Sequence, residues 1–176
     1  MKTDLDAHRS PVHEACHAVF ATREGLVVDV VRVPNGNDGG GETLYQLPTE
    51  YGVPTRRATE AACMALVAPV ILHDETHGTG DGTTGLTGCV DDREQFNRLL
   101  QRHTGNEPEE MKFLAGIALA HVRAELPCLL GLIREVAELL EIHGELTGQD
   151  VVDCFDRAGL RRRDASKPLP DFRQVP

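Results

Sequence analysis

The stretch Ser10-Pro11-Val12-His13-Glu14-Ala15-Cys16-His17-Ala18-Val19-Phe20-Ala21-Thr22-Arg23-Glu24-Gly25 decides how the rest of the chain is read. Ser10 offers a side-chain acceptor for the first free N–H groups of a helix. Pro11 has the φ of a first helical residue and no N–H left to satisfy there. The spacing predicts a helix running to about Glu24, with Gly25 as its left-handed stop. His13 and His17 stand four residues apart, so both imidazoles share one helix face, and Glu14 projects from the neighbouring edge. Directly after it, Leu26 to Val33 (LVVDVVRV) is apolar and β-branched and predicts a strand.

Two imidazoles on one helical face can reach one metal ion. A glutamate beside them can take a proton from water held in an open coordination position. Zinc suits two neutral imidazoles and one carboxylate with a fourth place left for water. His13 and His17 are therefore the candidate ligands, Glu14 the candidate catalytic base and Zn²⁺ the expected cofactor. The third ligand must come from elsewhere. An HExxHxxGxxH site would need Gly at 20 and His at 23, where Phe20 and Arg23 stand, and no Glu-x-x-x-Asp spacing occurs downstream. Asp92 is the candidate instead. It shares a stripe with Phe96, Leu99 and His103 on a helix expected over about 89–103, and that stripe is otherwise largely apolar. A carboxylate facing inward needs a partner, and a metal on the two histidines would be one. A simpler role for Asp92, capping its helix near Cys89, stays open on these grounds.

Outward from this core, Pro34 to Gly41 is dense in turn residues, and Glu42 to Leu47 returns as a second strand. Pro54 is expected to open a helix over about 55–74. Ala58, Ala61, Ala62, Ala65, Leu66 and Ile71 point inward in it, and Pro69 distorts it. Thr76 to Gly88 is a Gly/Thr loop without the Gly-Lys-Ser/Thr of a phosphate loop, hence a connector and not an ATP site. Long helical segments follow from about Pro108, broken near Pro127 and ending at Gly144. Thr147 caps a last helix that stops at Gly159. His73 and His77 form a second i, i+4 pair, read as solvated, and His121 and His143 have no partner at a useful spacing. The expected fold is mainly α (α+β), a helical domain with a small early β-sheet or hairpin.

The 176 residues suit one domain, taken as 1–159, and carry 18 Lys+Arg against 28 Asp+Glu. Such an acidic balance excludes nucleic acid as the main partner. Residues 160–176 hold Arg161, Arg162, Arg163, Lys167 and Arg173 against Asp164 and Asp171, with three prolines, and read as a basic, flexible tail. No membrane span and no signal peptide are expected. The five cysteines, at 16, 63, 89, 128 and 154, are odd in number and widely spaced. They read as reduced thiols of a cytoplasmic protein, those after Cys16 as helix-core residues.

On these residues the chain resembles the peptidase domain of the FtsH-type zinc metalloproteases, the AAA-associated membrane proteases. The family's HEAGHA motif is similar to His13-Glu14-Ala15-Cys16-His17-Ala18. Its strand, turn and short strand ending in Leu-Pro resemble Val27–Val33, Pro34–Gly41 and Thr43–Pro48. Its TGA-x-N-D segment resembles Thr87-Gly88-Cys89-Val90-Asp91-Asp92, and the late segments Glu135–Leu140 and Gly144-Glu145-Leu146-Thr147-Gly148 are similar to the family's closing helices. The resemblance implies a zincin-like fold, Asp92 as the third zinc ligand and hydrolysis of peptide bonds by a zinc-bound water that Glu14 activates. It also implies an extended substrate alongside residues 43–47. Cys16 departs from the motif's Gly, these residues carry no Walker-A pattern, and neither an ATPase nor a membrane anchor is expected with the domain. An ATP-independent endopeptidase acting on peptides or unfolded segments is therefore expected, its assembly as a homo-oligomer left open. The competing readings are a binding or regulatory module on the same fold, and a zinc amidase acting on a small molecule.

Overall fold

A computed structural model describes residues 11–33, 41–50, 52–77, 90–165 and 167, with the backbone alone at His77 and Val90. Ser10, residues 34–40, most of the Gly/Thr loop with Thr87, Gly88 and Cys89, and the end of the tail lie outside the described residues.

The first helix, α1 (Pro11–Arg23), is buried on every side from Glu14 to Thr22. A helix so enclosed must be the centre of a domain. It packs against α2 (Arg56–His77) and α4 (Pro108–His143), which also pack on each other. Gly25, at φ 85°, turns the chain into β1 (Val27–Arg32). Strand β1 is the middle of a three-stranded antiparallel sheet, flanked by β2 (Glu42–Gln46) and β5 (Glu145–Thr147). Its inward side chains, Val28 and Val31, are three apart, not two, because the register shifts between Val28 and Val30. That bulge returns Val31 to the core face. Two very short strands, β3 (Thr49–Glu50) and β4 (Val53–Pro54), form a separate hairpin before α2. The helices α3 (Val90–Thr104) and α5 (Gly148–Arg157) complete the set among the described residues. The fold is mainly α with a small antiparallel sheet.

Helix α2 shows how local chemistry sets the packing. Thr55 opens it, its Oγ1 accepting from the Ala58 N–H at 3.1 Å. Pro54 therefore belongs to β4, not to the helix as the sequence reading has it, and the helix runs on to His77 instead of ending near 74. The inward face is the expected one: Ala58, Ala61, Ala62 and Ala65 are fully buried, with Leu66 and Ile71 nearly so. Such small side chains allow α1 and α2 to approach closely.

Helix α4 corrects a larger expectation. It is continuous for 36 residues, straight through Pro127, where the sequence predicts a break. An interior proline costs about 3 kcal/mol. That cost is offset because both halves bury one continuous face: Leu114, Ala118, Val122 and Leu126 before the proline, Leu129, Ile133, Val136 and Leu140 after it. Gly144, at φ 74°, ends the helix with its N–H on the Leu140 carbonyl. By length and composition α4 is also apolar enough to cross a membrane, with an 18-residue window of mean hydropathy 1.5.

Strand β5, on the second edge of β1, goes unpredicted. The Thr147 cap is as expected, its side chain accepting from Asp150 N–H while Asp150 bonds back to the Thr147 N–H. Cys16, Cys63 and Cys154 are buried, but Cys128 is exposed, one residue past the buried stripe. The start of the segment read as a flexible tail is held: the Arg163 N–H donates to the Arg23 carbonyl at 2.7 Å, and Ala165 is buried. A side chain on Gly25 would run into the backbone of Arg163 and Ala165, so this docking depends on glycine at the turn.

Candidate metal centre

His13 and His17 stand on the part of α1 that faces α2 and α3, and Asp92 enters from the first turn of α3. His13 Nε2 lies 3.0 Å from His17 Nε2. Asp92 Oδ2 lies 3.2 Å from His13 Nε2 and 3.3 Å from His17 Nε2. Among the described residues this trio gathers three potential ligand atoms around one point. A tetrahedral zinc site, with bonds of about 2.0–2.1 Å, sets its ligand atoms about 3.3–3.4 Å apart. The observed separations are close to the edges of that tetrahedron, so the donor set fits such an ion.

The hydrogen-bonding pattern points the same way. His17 Nδ1 lies 2.9 Å from the Ala65 carbonyl oxygen, which can only accept, so the nitrogen carries the proton there. The neutral imidazole then presents a bare Nε2 to the other two donors. This is the arrangement in which a second partner orients a metal-binding histidine. The surrounding charges favour a cation at this point, which in the metal-free state is a second proton on His17. Burial on its own would lower the His17 pKa, but the Asp92 hydrogen bond and charge, the Glu14 charge and the Ala65 carbonyl outweigh it, and the net direction is up. Burial would raise the Asp92 carboxyl, and the two histidines instead hold it well below the usual carboxylate range. The pocket favours positive charge.

Glu14 is buried beside the trio at 4 % exposure. Its Oε2 accepts from the Thr43 hydroxyl at 2.9 Å, and the same hydroxyl lies 3.2 Å from the Glu14 carbonyl oxygen. Thr43 belongs to β2, so the sheet fixes the carboxylate. Gly41 leaves room for it: a Cβ there would sit 2.6 Å from Glu14 Cγ and Oε1. Cys16 is fully buried among apolar neighbours, and burial pushes its thiol pKa up, so it is an inert packing residue.

The four residues singled out from the sequence are thus brought together. The structure adds Thr43, Gly41 and the Ala65 carbonyl, which motif spacing could not show. Strand β2 is an edge of the described sheet, and a groove of about 330 Å³ runs between it and α3, lined by Thr43, Tyr45, Leu47, Arg98, Leu99 and Arg102. Of the second histidine pair, His73 is half-buried, while the His77 side chain lies outside the described residues.

At the far end of α1 sits a charge cluster that the sequence reading passed over. Glu24 is completely buried. Arg57 reaches its Oε2 at 2.6 Å, His121 lies 3.0 Å from Oε1, and Arg163 pairs with the same oxygen. Glu125 accepts from Arg23 and Arg163 alongside. Burial alone would raise the Glu24 pKa; His121, Arg163 and Arg57 reverse it, and the net direction is down. Compared with known proteins, the chain matches no protein-family model and no curated protein.

Proposed function

We propose that this chain is a zinc-dependent metallopeptidase in which His13, His17 and Asp92 hold the ion and Glu14 is the general base. The observation that carries the reading is the convergence of three ligand atoms, from residues up to 79 positions apart, at 3.0–3.3 Å beside a buried glutamate. The resemblance of the same residues to the FtsH-type peptidase motifs is consistent with that reading.

Bound zinc would supply Lewis acidity, polarising the scissile carbonyl and making water a better nucleophile. The protein's own residues do the rest. Glu14, held by Thr43, takes the proton from the attacking water and returns it to the leaving amine. His17 is locked in one tautomer by the Ala65 carbonyl. The free edge of β2 pairs with an extended peptide, and Thr43 links that edge to Glu14. Unfolded segments and peptides are the substrate class, because only extended backbone can add to a strand edge.

The test pairs zinc analysis with cleavage of an unfolded protein and a peptide library. Glu14→Gln should keep zinc and lose cleavage by at least about 10²-fold, the usual scale for general acid–base catalysis. If that variant cleaves like its parent, the assignment of Glu14 is wrong. A zinc-loaded parent that cleaves neither substrate would instead favour a binding module or an amidase.

A further inference from the structure

Pro69 lies in the middle of α2, buried, at a position where a helix ordinarily rejects proline. Two consequences fall on the residue four positions earlier. The N–H that would bond the Ala65 carbonyl does not exist, and the proline ring pushes that carbonyl off the helix axis. Ala65 is fully buried, so its carbonyl would be left without a partner. The partner it finds is His17 Nδ1, 2.9 Å away on α1. The other interior proline makes the contrast plain. Pro127 releases the carbonyl of Arg123, and both residues lie on the exposed side of α4.

We infer that Pro69 is a positioning residue for the metal centre: by denying Ala65 its helical hydrogen bond, it reserves that carbonyl for His17 and so presents a bare His17 Nε2 to the ion. The inference rests on the zinc reading for its affinity readout alone; the state of His17 in the metal-free protein is independent of it.

The experiment compares the parent, Pro69→Ala and Pro127→Ala. Nitrogen-15 spectra of the metal-free proteins report which His17 nitrogen carries hydrogen, and competition titration with zinc reports affinity. With the spectra recorded at alkaline pH, where imidazoles are neutral, the parent should hold its single His17 proton on Nδ1, against the Ala65 carbonyl. In Pro69→Ala the new N–H competes for the Ala65 carbonyl. A fraction of His17 should then move its proton to Nε2, and zinc should bind about tenfold more weakly, at the lower end of losses for such outer partners. Its melting temperature should stay level or rise, since alanine favours the helix. Pro127→Ala should change neither His17 nor zinc affinity. An unchanged His17 spectrum in Pro69→Ala, or an unchanged zinc affinity, overturns the inference. A parent that binds no zinc refutes the metal reading, and the spectra alone then judge Pro69. Pro69→Ser, which supplies the same N–H, takes the place of the alanine variant if that one does not fold.

Discussion

Gly41→Ala is a test that removes no chemical group from the site. Gly41 is not in the left-handed region, so alanine meets no backbone objection there. The added Cβ would stand 2.6 Å from Glu14 Cγ and Oε1, where ordinary contact begins at 3.4 Å. The carboxylate must therefore retreat by about 0.8 Å, and it is buried, so it retreats against packed neighbours and the Thr43 bond. A misplacement of about 1 Å at a reacting group costs on the order of 10²-fold in rate. That corresponds to about 2.7 kcal/mol on the barrier. Turnover of a saturating unfolded substrate should fall by that factor, with zinc stoichiometry unchanged and the protein still folded. A folded, zinc-loaded Gly41→Ala protein that turns over within about threefold of its parent would refute the claim that Glu14's placement limits the reaction.

Glu24→Gln leaves Arg57 buried without its counter-charge, and removing one partner of a buried pair costs about 3–5 kcal/mol, to be read by urea denaturation. Because Glu24 is held below its ordinary value of 4.5, its contribution is complete above that pH and is lost as the pH falls through the lowered value. The gap between parent and variant should therefore narrow on acidification below about pH 4.5. Thr147→Ala breaks a two-way cap at the start of α5 and should cost about 1 kcal/mol, or about 2–4 °C in melting temperature.

Local signals carried the parts of this molecule that depend on a few consecutive residues. The α1 stop at Gly25, the apolar run of β1 and the Thr147 cap are legible because each rests on one residue's geometry. Asp92 is legible for a different reason: a carboxylate on an otherwise apolar stripe demands a partner, and the two histidines were already waiting for one. What stayed hidden is long-range. Glu24 meets Arg57, His121 and Arg163 across 33 to 139 residues of sequence, and no spacing rule links them. The three-residue β5 carries no periodicity, and its strand character comes from its place beside β1. Propensity at Pro127 predicts a break, and continuous burial of α4 on both sides overrides it. Pro69 was seen only as a distortion, because its consequence falls on another helix.

Among the described side chains of helix α3, Leu100 and Thr104 are buried and Asp92, Phe96, Leu99 and His103 are partly so. Its tie to α1 runs through Asp92. An ion held by His13, His17 and Asp92 would therefore act as a rivet between two helices that otherwise meet mainly through α2. By linkage, every tenfold excess of free metal over its dissociation constant adds about 1.4 kcal/mol to the joined state. Metal supply would then add to the stability with which α3, the far wall of the β2 groove, is held to α1.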